Sequence, residues 1–136
     1  MRAVRRNARK RSGAAAVEMA MVLPVFVLIV LGVIEFARFG MAVQLLTTAA
    51  REGCRTASLP NTAQSDVTER ITEVLSGSGI PAPTPTLTPS NWTTAAQGEP
   101  ISLTLSVPYQ DISWLSGAGI LSGNVTASAT FGSEKP

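Results

Sequence analysis

The sequence predicts an α+β chain. A long N-terminal helix, transmembrane in its first half, extends into a small domain with a short helix and a small antiparallel sheet. Three observations predict it. An apolar run follows a basic leader, apolar residues continue at spacings of three and four past that run, and strict alternation appears in the last third.

The leader is residues 1–13. It holds six of the eleven basic residues, Arg2, Arg5, Arg6, Arg9, Lys10 and Arg11, and no acid occurs before Glu18. Beyond Gly13 there are five basic and nine acidic residues, so the body of the chain is acidic. The basic pI thus describes a short tag and not a surface that would coat nucleic acid.

From Ala14 to Ile34 the only charged residue is Glu18. Sixteen uncharged residues lie between Glu18 and Glu35, and they span about 24 Å as a helix, short of the roughly 30 Å hydrocarbon core. Counted from Ala14 the length is about 32 Å, so Glu18 must lie near one membrane face. The basic excess before the run places the N-terminus in the cytoplasm and residues 58–136 outside it. A cleaved secretory signal is the alternative, with Gly40-Met41-Ala42 as small residues at suitable spacing. That site lies beyond Glu35 and Arg38, inside what reads as continuous helix.

Glu18 supports two readings. It snorkels to the membrane face, or it pairs with a partner in poorly solvated surroundings. Unpaired and within the bilayer it costs about 2–3 kcal/mol. Pro24 removes one backbone hydrogen bond and predicts a kink, either merely tolerated or used as a flexible point.

Past the apolar run, Phe36, Phe39, Val43, Leu46, Ala50, Gly53 and Ala57 recur at helical spacing, which predicts one helix over 14–57. Glu35 with Arg38 and Glu52 with Arg55 are i,i+3 pairs on its surface. The stripe packs on this chain's own domain or, alternatively, on neighbouring subunits. Cys54 lies on or beside this stripe and reads as a buried free thiol, with an intermolecular disulfide as the alternative.

Residues 58–136 form the small domain. Asp66 with Glu69 three residues on has capping-box spacing, and Val67, Ile71, Val74 and Leu75 share a face, predicting a short helix over 66–76. Gly77 and Gly79 end it. The Pro/Thr-rich stretch 81–89 is extended or loop-like. Ile101 to Val107 and Val125 to Phe131 alternate with Ser and Thr, predicting two strands, each with one buried face. A third strand includes Leu87 or Trp92.

Composition also excludes chemistry. With no His and one Cys, imidazole catalysis, HExxH zinc sites and CxxC sites are absent, and no phosphate-binding glycine loop occurs. No catalytic residue, cofactor, metal site or small-molecule substrate is predicted, and the chain reads as a non-enzyme.

The stretch from Arg11 to Arg55 resembles the N-terminal region of TadE-like proteins, pseudopilins or minor pilins of the tight-adherence (Flp-type) pilus machinery. Gly13, Ala14 to Ala16, Val17-Glu18, Val22-Leu23-Pro24, Gly32, Ile34-Glu35-Phe36, Arg38 and Ala49 to Gly53 carry the resemblance by their order and spacing. It implies a pilin-like fold, a cytoplasmic-membrane location and cleavage between Gly13 and Ala14 by a prepilin peptidase. It further implies a role for Glu18 in subunit registration, and other pilins and the assembly platform as partners. Met19 stands where major pilins of this type usually carry an aromatic residue, and the chain is longer than such pilins, which favours the minor role. The competing reading is a membrane-tethered envelope protein that never enters a filament.

Overall fold

The computed structural model describes residues 7–114 and 123–136, with side chains from residue 13 onward. The start of the expected leader and part of the 108–123 link lie outside the described residues. The elements give an α+β fold: a long helix, a shorter helix and a three-stranded antiparallel sheet. The chain divides into two compact units, Met1–Phe36 and Ala37–Pro136.

The long helix, α1, runs from Asn7 to Ser58, so it begins seven residues before the expected start. It runs continuously through Pro24. In the first unit every side chain from Gly13 to Ile34 is exposed. A helix apolar on all faces and uncovered by its own chain is built for a non-aqueous surrounding.

In the second unit, α1 buries Ala42, Leu46, Ala49, Ala50, Gly53, Cys54 and Ala57. The stripe therefore packs on this chain's own domain. Its start is rotated from the expected one. Ala42 is buried, whereas Phe39 is 39% exposed. The run of small residues lets other elements approach the helix backbone. A Cβ placed on Gly53 would lie 2.9 Å from Ile71 Cγ1 and 3.1 Å from Leu103 Cδ1. The helix stops where Ser58 Oγ donates to the Cys54 carbonyl (2.9 Å). Pro60 follows, and Asn61 has a φ of 58°, in the left-handed region that Asn tolerates better than most residues.

The second helix, α2, covers Gln64–Leu75 and buries Val67, Ile71 and Leu75. Its start differs from the expected one. Ala63 occupies the N-cap position, and Asp66, inside the first turn, accepts the Ala63 backbone N–H at 2.9 Å. Asp66 thus plays the returning carboxylate of the capping pattern and not its first residue. Gly77 and Gly79 follow with φ of 75° and 76°, which ends the helix as expected.

The sheet holds β1 (Thr86–Thr88), β2 (Pro100–Pro108) and β3 (Asn124–Gly132), with β2 in the centre. Leu87 thus lies in the third strand, while Trp92 sits in a short 3-10 turn, Trp92–Thr94. Along β2, Ile101, Leu103, Leu105 and Val107 are buried, facing Phe131, Ala129, Ala127 and Val125 of β3. On the other face the Ser102 and Thr130 hydroxyls meet at 2.7 Å. Phe131 departs from the alternation and is 41% exposed.

The end of the chain is tied down. Glu134 N–H donates to the Ser58 carbonyl (2.9 Å) and Ser133 N–H to Glu99 (2.8 Å). Lys135 is buried, its Nζ donating to the Trp92 carbonyl (2.6 Å) and lying 4.5 Å from the centre of the Trp92 ring. Burial pushes its amine below the ordinary lysine range.

Candidate functional site

The residues singled out from the sequence lie along α1 and fall into two groups. Gly13, Ala14, Glu18 and Pro24 belong to the exposed stretch. Among the described residues nothing lies within 4 Å of a Cβ placed on Gly13, and both Gly13 and Ala14 are exposed. Because α1 already runs from Asn7, the Gly13–Ala14 bond lies inside the helix and not at its end. Glu18 is exposed among Val17, Met19, Met21 and Val22, which are 58–74% exposed. It has no hydrogen-bond or ion-pair partner among the described residues. Among the described residues it is a carboxylate on an otherwise apolar surface.

The second group carries the expected surface ion pairs. Glu52 finds its partner outside α1. Arg70 of α2 donates to it at 3.0 Å and to Glu73 at 2.7 Å. Both carboxylates hold the Arg70 guanidinium above its ordinary range, hydrogen bonding to Glu73 being the largest cause. Arg55 is exposed. Spacing along α1 suggested Arg55 as the partner, but the antiparallel return of the chain brings Arg70 within reach. Glu35 is buried. Arg38 donates from a terminal nitrogen to the Ile112 carbonyl at 3.0 Å, and its guanidinium carbon lies 4.7 Å from the centre of the Trp114 ring. This contact joins residues 74 and 76 positions apart, and spacing along one helix carries no signal of it.

Cys54 is fully buried and free, donating its thiol to the Ile101 carbonyl (3.2 Å). Burial raises its pKa, with the backbone of Phe131 and Leu103 pulling the other way. Such a thiol is a packing residue and a poor nucleophile. Among the described residues no cluster of His, Cys, Asp and Glu could hold a metal ion.

These features define a class. It is a chain with one N-terminal helix long and apolar enough to cross a membrane, continuing into a small α+β domain. Residues 13–55 match the family described as TadE-like protein. The match opens at Gly13 and takes in Glu18, Pro24, Glu35, Arg38 and Glu52, so the resemblance named from the sequence holds over this segment. Comparison with curated proteins and with solved structures found no match.

Proposed function

We propose that this chain is a TadE-like pseudopilin that acts in the assembly of a tight-adherence pilus or a related secretion or adhesion machine. In this reading it is not an enzyme. It lies in the bacterial cytoplasmic membrane with its N-terminus inside and residues 58–136 outside. A prepilin peptidase removes residues 1–13. The mature chain then associates with other pilins and the assembly platform through its exposed helix.

One observation carries the reading. Glu18 is a carboxylate with no partner among the described residues, on an exposed apolar stretch of helix, five residues after the glycine at which the family match begins. An isolated carboxylate in apolar surroundings is costly. Cleavage after Gly13 creates an amino group on Ala14, and the Ala14 amine of a neighbouring subunit offers the missing positive charge. Pairing by subunit association then offsets the cost.

The test has two arms. Co-expression with a matching prepilin peptidase should remove about 1.4 kDa while the product stays in the membrane, since the apolar run is retained. Gly13→Glu should block that step. Glu18→Ala should leave insertion and cleavage intact but weaken crosslinking between mature subunits, by about tenfold if only 1.4 kcal/mol is lost. Unchanged crosslinking at equal membrane levels would remove Glu18 from the mechanism. A mature N-terminus at Val43 would replace the pilin reading with a cleaved secretory signal.

A further inference from the structure

Within the second unit, one aromatic ring lies over Arg38, the first cation after the apolar run, and Phe39, the next residue, belongs to a second aromatic pair. Phe39 and Tyr109 lie 5.9 Å apart, centre to centre, and Trp114 lies 4.7 Å from the Arg38 guanidinium. Arg38 is further fixed by its hydrogen bond to the Ile112 carbonyl (3.0 Å). Trp114 is nevertheless 74% exposed. The domain core therefore does not explain this indole, whereas Trp92 is buried.

Position along α1 supplies the explanation. Arg38 follows Ile34, the last residue of the uncharged run, by four residues of unbroken helix, or about 6 Å of rise. That is the depth of the headgroup region when the stretch Ala14–Ile34 fills the hydrocarbon core. The Arg38 contact holds Trp114 near the same depth, although the two are 76 residues apart. Trp and Tyr favour this zone, where one part of the ring system is apolar and the polar tip is wet, and Arg anchors helix ends there.

We propose that Trp114, with Arg38 and Tyr109, forms an anchor in the lipid headgroup zone of the bilayer that α1 crosses, setting the depth at which the helix leaves the membrane. The occupant of this surface is lipid, because Arg38 stands only four residues after the apolar run along α1 and carries an exposed indole. The proposal rests on the membrane-anchored reading above.

Depth-dependent fluorescence quenching tests it on the full chain in phosphatidylethanolamine/phosphatidylglycerol vesicles. One set of vesicles carries a nitroxide at the lipid headgroup and another carries it at mid-chain. The difference in emission between the native chain and Trp114→Phe reports Trp114 alone. That emission should be lost to the headgroup label and much less to the mid-chain label. Leu28→Trp, introduced on the Trp114→Phe background, places an indole in the middle of the run, and the mid-chain label should quench it. If the Leu28→Trp indole is quenched but Trp114 responds to neither label, the anchor is overturned and the surface belongs to a protein partner or to water. If neither indole responds, the membrane reading itself falls, and the anchor falls with it.

Discussion

Cys54 shows how much a single buried atom can report. Its thiol is sealed between α1 and β2 and donates to Ile101, and burial raises its pKa in the folded state. The folded pKa therefore lies above the unfolded value. Its contribution to stability is complete below about pH 8.5, the ordinary thiol pKa, and is lost as pH rises through the folded value. Lys135 acts in the opposite sense. Its folded pKa is lowered, so its contribution rises with pH as the lysine range is approached. Comparing the native chain with Cys54→Ala isolates the thiol. The substitution should cost on the order of 1 kcal/mol at pH 7 through lost packing. It should also abolish the part of the alkaline destabilisation that Cys54 supplies, measured as the midpoint of chemical unfolding between pH 7 and 10. Parallel pH profiles for the two proteins would show that the thiol is not held protonated by the fold. At this scale the sequence was readable for Cys54, since a lone cysteine among small helix residues has few alternatives to burial. It was not readable for the Arg38–Trp114 and Glu52–Arg70 contacts, which are set by how distant segments meet, whereas helix spacing points only to neighbours in the chain.

Among elements, the close approach at Gly53 is the joint of the second unit. α2 and β2 both reach α1 there, through Ile71 and Leu103. Both side chains are fully buried, so neither can swing into solvent to make room. Gly53→Val puts a branched side chain into that space. Overpacking of this kind costs about 1–3 kcal/mol, and the exchange of Gly for another helix residue returns at most about 1 kcal/mol of helix propensity. The expected result is a lower thermal midpoint with unchanged helix content below the transition, read by circular dichroism. An unchanged or raised midpoint would mean that the three elements do not meet at Gly53 as tightly as described. The elements themselves were largely legible. Alternation over Ile101–Val107 and Val125–Phe131 identified β2 and β3, because a sheet with one buried face imposes a period of two, although the buried face ends before Phe131. The start of α2 was misplaced because Asp66 resembles an N-cap residue in sequence, and only the Ala63 N–H shows which role it takes. Trp114 stands exposed, and whether a ring in a loop is buried has no periodic signature.

For the molecule as a whole, the boundary that matters falls inside α1 and not at its end. Helical spacing predicted a stripe reaching to Ala57, and the structure gives that stripe to the second unit, Ala37–Pro136. Among the described residues, six of the eighteen buried apolar core residues, Ala42, Leu46, Ala49, Ala50, Cys54 and Ala57, come from α1. Without them the inner face of β2 and the buried face of α2 would open to water, leaving a remainder too small to hold a core alone. A chain covering 37–136 keeps all eighteen, whereas one covering 59–136 keeps twelve. Burying a single large apolar side chain such as Leu46 is worth about 1.5–3 kcal/mol, against the roughly 5–15 kcal/mol of an ordinary domain. The longer fragment should therefore unfold in one cooperative thermal transition, and the shorter one should show none, with amide protection lost across β2. Cooperative melting of 59–136 at the same temperature would show that the sheet and α2 are self-sufficient. The expected outcome has a consequence for the proposed role. The second half of α1 could not slide against its domain without unfolding it, so in the proposed role drawing the helix out of the membrane would carry residues 37–136 as one body.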